Sequence, residues 1–219
     1  MKYFVFSLDD GSLWDKDVIA LFNKYHVKGT FNLNSGLSDF TWYYDDMIPI
    51  TRLNLRDNIH LYDGHEVASH TLNHPYLDSL PDEEVIRQIN EDIYNLEQLF
   101  DRKIVSFATP FETCGEREVE LIRNNTCIEN VRLSILDDSF NLPIDPYHIK
   151  CTTYDIYQAL DLIKKFQEDD NAKLFVYAGH SYDFYLNNTF DRLEDLLRII
   201  TSDKNIKILT MQELMKEIF

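Results

Sequence analysis

The sequence predicts an α/β fold of barrel-like form, and three observations predict it. Short apolar runs rich in β-formers alternate with segments whose apolar residues recur at helical spacing along the whole chain. The links between them are short, as parallel βαβ units require. The polar residues capable of chemistry gather just beyond the C-terminal ends of the expected strands, the face on which α/β barrels build their sites. With 219 residues, no Pro/Gly/Ser-rich linker and no fixed-period repeat, the chain reads as one domain over residues 1–219.

The elements follow in order. Tyr3-Phe4-Val5-Phe6 is a buried strand that delivers Asp9 and Asp10 at its C-terminal end. Asp15 is placed to cap a helix striped by Val18, Leu21, Phe22 and Tyr25, and Gly29 to stop it. Residues 30–34 form a second strand, closed by Ser35-Gly36. Over residues 37–62 the pattern is irregular. Phe40, Trp42, Tyr43 and Tyr44 crowd there, a set that serves equally to stack on sugar rings or to tether a loop. Glu66-Val67-Ala68 is the third strand.

Pro81 with Asp82, Glu83 and Glu84 opens the clearest helix, whose stripe of Val85, Ile89, Ile93, Leu96 and Phe100 is core. A strand at 104–107 leads to Pro110-Phe111, a helix at 117–124 follows, and residues 127–150 read as strand and loop without clear bounds. Ile156, Leu160, Ile163 and Phe166 mark a helix; residues 174–178 form a buried strand ending in Gly179-His180. Phe190, Leu193, Leu197 and Ile200 mark another helix and Ile206–Leu209 the last strand, after which Thr210 and Glu213 make a capping box for a final helix.

Composition is ordinary for a globular protein, at 27% charged and 44% hydrophobic, but the net charge of −17 is not. It argues against nucleic acid, anionic membranes and polyanionic polymers as partners, and a neutral or cationic substrate is easier to accommodate. The same charge also simply keeps a protein in solution. Cys114, Cys127 and Cys151 have no close spacing and leave one odd, which suits a reducing compartment and no cysteine metal site. The N-terminal apolar run is too short for a signal peptide and nothing later approaches a membrane span, so the expected location is cytoplasmic.

Chemistry concentrates in Ser69-His70-Thr71-Leu72-Asn73-His74-Pro75. On a helical turn, the spacing of His70 and His74 puts both imidazoles on one face, where they grip one metal ion. A bare HxxxH is often no more than two rings on a surface turn. A catalytic divalent metal needs a third protein ligand and an open position, and Ser7-Leu8-Asp9-Asp10-Gly11, at the end of an apolar strand, offers that ligand. His65 beside the motif reads as a loop residue or a support for the pair, His26 as a cation at a helix end, and His60 and His148 carry no argument.

These segments, with Pro110-Phe111 and Tyr177-Ala178-Gly179-His180, fall in the order of the polysaccharide deacetylase (NodB homology) family, which the chain resembles from residue 7 to residue 180. The resemblance implies a distorted (β/α) barrel with fewer than eight complete repeats and metal-dependent removal of acetyl groups. It makes Asp10, His70 and His74 metal ligands, Asp9 the general base and His180 the general acid, with the Phe111 N–H at the oxyanion. Asn34 and Trp42 are further candidates for contact with substrate. Neighbouring strand-end residues point in different directions, which independently separates the roles of Asp9 and Asp10.

One departure stands out. Two residues before Pro110, where the family carries an arginine that orients the base, this chain has Ala108. Lys150, Arg132 and Arg117 are candidates for the missing charge. Asp137, Asp138, Asp145 and Asp183 are candidates for the aspartate that raises the acid histidine's pKa. The expected activity is hydrolysis of an N-acetylated sugar or short oligosaccharide with one divalent metal, zinc by default and cobalt or nickel also suited. The rivals are hydrolysis of another amide, such as an N-formyl sugar, and a metal-retaining carbohydrate-binding protein without turnover.

Overall fold

A computed structural model describes residues 1–137 and 139–219. Its frame is an eight-stranded parallel sheet built outward from β1 (Lys2–Asp9). One edge of β1 pairs along its length with β9 (Leu174–His180), from Tyr3↔Leu174 to Asp9↔His180. The other edge is shared: residues 2–5 pair with β10 (Ile206–Leu209), and residues 7–9 with β2 (Thr30–Leu33). From β2 the sheet runs through β5 (Glu66–Ser69), β6 (Ser106–Ala108) and β7 (Asn130–Leu136) to β8 (Ile149–Cys151). A lone parallel bridge, Thr153↔Tyr177, brings the far edge round to β9. The result is a curled, distorted (β/α) barrel, as the family resemblance implied.

Alternation along the strands sorts the residues. On β1, Phe4, Phe6 and Leu8 enter the core under the helices, while Val5, Ser7 and Asp9 face the barrel interior. On β7, Val131 and Leu133 pack outward, and Asn130 and Arg132 turn inward. The outer layer comprises α1 (Asp15–Lys24), α2 (Asp82–Phe100), α3 (Glu116–Asn125), α4 (Ile156–Glu168), α5 (Ser181–Leu186), α6 (Phe190–Ser202) and α7 (Met211–Ile218). The stripe of α2 is buried at Val85, Ile89, Ile93 and Leu96, as its spacing predicts. The Thr210–Glu213 box is present at α7: the Thr210 hydroxyl accepts from the Glu213 N–H at 3.2 Å, and the Glu213 carboxylate from the Thr210 N–H at 3.1 Å.

Several local expectations are corrected. Asp15 does not cap α1; its carboxylate is buried and accepts from Tyr62 Oη (2.7 Å) and Ser181 Oγ (2.5 Å). Gly29 does not end α1, which stops at Lys24 with His26 turned to φ +55°. The irregular stretch holds an antiparallel hairpin, β3 (Thr41–Tyr44) with β4 (Ile48–Thr51). The unbounded region 127–150 carries β7 and the start of β8, and α5 follows His180 directly. His65 is a loop residue, as one of its two readings has it, and does not support the histidine pair. It precedes β5, at the opposite end of the strand from His70, buried against Phe22 and Phe31. No described helix is long and apolar enough to cross a membrane.

Candidate active site

The loops beyond the C-terminal ends of β1, β5, β6 and β9 surround a cavity of about 450 Å³ whose lining includes Asp9, Asp10, His70, His74 and His180. His70 and His74 do not share a helical turn. They lie on the loop after β5, where Thr71 (φ +70°) and His74 (φ +54°) turn the chain back, bringing the rings to 4.8 Å between centroids. The spacing therefore predicted the meeting of the two rings but not the backbone that achieves it. Other positive-φ positions also border this cavity: Asp10 at +80°, Phe111 at +54°, and Gly179 at +149° just before His180.

The donor atoms of Asp10, His70 and His74 lie within 4.8 Å of one another, the one such group among the described residues. Asp10 Oδ1 is 3.6 Å from His74 Nε2 and 3.9 Å from His70 Nε2. The Ala108 carbonyl, 2.8 Å from His70 Nδ1, accepts that nitrogen's proton and leaves the Nε2 lone pair free. Burial pushes both imidazoles below their ordinary pKa, His74 to about 4, so both are neutral donors at neutral pH. One carboxylate and two neutral imidazoles fit a divalent transition metal.

Asp9, also in the cavity lining, has its carboxylate held from the barrel side. Arg132 Nη2 donates to Asp9 Oδ1 and Oδ2 at 2.5 and 2.6 Å, and Asn32 Nδ2 donates to Oδ1 at 2.7 Å. Burial alone would raise the Asp9 pKa, but the Arg132 guanidinium and the nearby histidines hold it below the ordinary carboxylate value. Arg132 stands on β7 in register with Ala108 on β6, so the guanidinium reaches Asp9 from one strand further along the sheet. Of the other cations considered, Arg117 is on the surface with Asp82 and Glu118, and Lys150 is exposed.

His180 is 30% exposed, with Nε2 at 3.9 Å from Asp10 Oδ2 and Nδ1 at 3.0 Å from Asp183 Oδ2. Burial opposes its protonation, yet the Asp183 hydrogen bond and the charges of Asp10 and Asp9 push its pKa up to about 9. The first turn of α5 supplies Asp183, which also accepts from the His180 N–H at 2.9 Å. Of the other candidate aspartates, Asp145 pairs with Arg123 and His148, Asp137 accepts from the Ser139 N–H, and Asp138 lies outside the described residues.

Two aromatic walls frame the cavity. On one side Trp42 meets Tyr182 edge-on at 5.4 Å, and Tyr182 stacks on His180 at 4.5 Å. On the other Phe111 stacks on Tyr76 at 4.1 Å and touches His74 at 4.5 Å. Asn34 is elsewhere than expected: its amide donates to the carbonyls of His70 and Thr71 and bolts the histidine loop in place, outside the cavity lining.

Sequence reasoning missed Arg52, whose Nη2 donates to Asp10 Oδ1 at 2.7 Å, and Asp92 of α2, which accepts from Ser69 Oγ (2.6 Å) and the His70 N–H (3.3 Å). Arg52 carried no signal, being an arginine in an irregular stretch. Asp92 did: an aspartate one position before Ile93 of a core stripe has to find a buried donor. Arg132 between Val131 and Leu133 carried the same kind of signal.

A curled (β/α) barrel with a carboxylate–histidine donor set at its C-terminal face, beside the Asp9–Arg132 and His180–Asp183 pairs, defines the class. The chain belongs to the polysaccharide deacetylase family, whose model matches residues 1–126, from β1 through α3. No curated protein sequence matches it. Its fold is similar to that of a family 4 acetyl xylan esterase from Clostridium thermocellum in complex with a cobalt ion (14% identity, TM-score 0.66, 99% of this chain and 91% of that one). It is equally similar to the CE4 domain of a multidomain xylanase from the hindgut metagenome of Trinervitermes trinervoides (15%, 0.66, 99% and 90%). A CE4 family pseudoenzyme from Bacillus anthracis is also similar (15%, 0.62, 97% and 65%). At these identities the likeness concerns the fold alone.

Proposed function

We propose that residues 1–219 act as one catalytic domain, a metal-dependent deacetylase that removes the acetyl group from an N-acetylated sugar or short oligosaccharide. The observation that carries this reading is Asp9, clamped by the buried Arg132 beside the Asp10–His70–His74 set, with His180 held by Asp183 and its Nε2 3.9 Å from Asp10. A retained metal site alone would need neither the clamp nor the acid.

Asp10, His70 and His74 would hold the ion, with zinc the first choice for this donor set and cobalt or nickel accepted. When bound, a divalent ion lowers the pKa of water and polarises an acyl carbonyl. Asp9, kept ionised and aimed by Arg132 and Asn32, takes the proton as water attacks the amide carbon. The Phe111 N–H adds a donor for the developing oxyanion. His180 gives the Nε2 proton to the departing amine nitrogen while Nδ1–H stays on Asp183, so the tetrahedral species breaks forward. Trp42 and the Phe111–Tyr76 pair supply flat apolar faces for a pyranose ring.

The test is acetate release from a panel of N-acetylated saccharides with added zinc, cobalt or nickel, alongside elemental analysis of His70→Ala and His74→Ala. Metal-dependent release is expected, with metal content in both variants well below one per chain. Full occupancy in both variants overturns the ligand assignment. Saccharide affinity without release from any N-acetyl, O-acetyl or N-formyl compound identifies a binding protein instead.

A further inference from the structure

The β3–β4 hairpin is stitched into the site. The Leu13 N–H donates to the Thr51 carbonyl at 3.0 Å and the Leu53 N–H to the Gly11 carbonyl at 2.8 Å, fastening its base to the loop that begins at Asp10. Just past β4, Arg52 is 6% exposed. Its Nη2 donates to Asp10 Oδ1 at 2.7 Å, its Nη1 donates to Asn34 Oδ1 at 2.6 Å, and its guanidinium carbon lies 5.1 Å from the centre of the Trp42 ring. Asp10 Oδ1 is the same oxygen that faces His74 and His70.

The proposed chemistry gives this cation no task. Asp9 already has Arg132, and the proton donor is His180. What a buried guanidinium on a donor oxygen does do is hold that oxygen's charge and repel a second cation across a short, poorly screened distance. We infer that Arg52 is a built-in competitor for the Asp10 carboxylate, setting the affinity of the Asp10–His70–His74 site for a divalent ion and keeping the ion exchangeable. The competitor is carried by the hairpin that also forms the Trp42 wall, so the hold on the ion depends on how that hairpin sits. This rests on the metal reading of the three ligands given above.

The opposite role is an orienting one, in which Arg52 merely points Asp10 at the ion. Loss of outer partners that orient a ligand weakens binding by roughly 10–100-fold; loss of a competing charge strengthens it. The sign of the change therefore decides. Full-length wild type, Arg52→Met and Arg52→Lys are stripped of metal, and zinc and cobalt affinities are read by competition with a chromophoric chelator. Arg52→Met is expected to bind at least about tenfold more tightly than wild type, and Arg52→Lys, which keeps the charge, to stay within about threefold of it.

Equal or weaker binding by Arg52→Met overturns the inference and leaves the metal reading intact. A wild-type chain that binds neither zinc nor cobalt overturns the metal reading and this one with it. Should circular dichroism show Arg52→Met unfolded, Arg52→Gln, polar, shorter and without charge, is read in its place with the same expectation.

Discussion

Two adjacent carboxylates, Asp9 and Asp10, each face a different arginine, and that pairing separates their chemistry. Arg132 meets Asp9 inside the barrel; Arg52 meets Asp10 at the cavity. The positive φ of Asp10 sends its side chain out of the strand's alternation and into the company of the histidines. His180 completes the set through Asp183, which with Asp10 and Asp9 raises its pKa to about 9 against the effect of burial. A raised histidine pKa has a definite sign. In the proposed reaction the donor His180 is charged at neutral pH, and activity that needs it falls as pH rises through that value. Asp183→Asn removes the hydrogen-bonding charge, so the alkaline limb of the pH–rate profile is expected to move to lower pH while the acid limb stays. An unmoved alkaline limb would assign it to another group. The same pairing contributes stability that is full below the unfolded histidine pKa of about 6.5 and is lost as pH rises through about 9.

At the scale of strands and helices, what was legible followed from periodicity, and what was not had its pattern broken by the site itself. β1 and β9 read as apolar runs because most of their residues are buried on both faces. α2 read clearly because its buried stripe is long. β7 read only as strand and loop without clear bounds: Asn130, Arg132 and Ser134 alternate with Val131, Leu133 and Ile135 at a strand's period, but the polar face belongs to the barrel interior and no apolar run marks the ends. The hairpin was hidden for another reason: its tip, Asp45-Asp46, takes positive φ at both residues without a glycine to announce it. The position of the arginine that pairs with Asp9 belongs to the sheet and not to the motif, since Ala108 and Arg132 are partners across the β6–β7 rung. Arg132→Ala should lower activity by roughly a hundredfold or more, the scale of a lost general base. Ala108→Arg combined with Arg132→Ala should recover part of it. A double variant no better than Arg132→Ala would mean that β7 supplies a geometry β6 cannot.

For the molecule as a whole, the relevant quantity is the charge of −17. The guanidiniums of Arg52 and Arg132 are buried and paired, so they do little to offset the negative field outside the cavity. Substrates carrying free amines should therefore be drawn in and neutral ones not. For a partly deacetylated, cationic oligosaccharide, kcat/KM is expected to fall as ionic strength rises from low salt to about 0.15 M, where attraction beyond about 8 Å is largely screened. The neutral, fully acetylated oligomer should show little change. Parallel salt profiles for the two would remove steering from the account.

The left-handed backbone around the cavity has a consequence of a different kind. Asp10, Thr71, His74 and Phe111 are all L-residues held where glycine is at ease, and Thr71 is β-branched. Such conformations persist only because the surrounding barrel over-determines them, at a cost on the order of 1 kcal/mol or more each. Selection for thermal robustness and selection for turnover therefore pull these positions in opposite directions. A descendant under the first pressure alone has an easy route to silence: it can relax the mouth of the barrel and keep every ligand in its sequence.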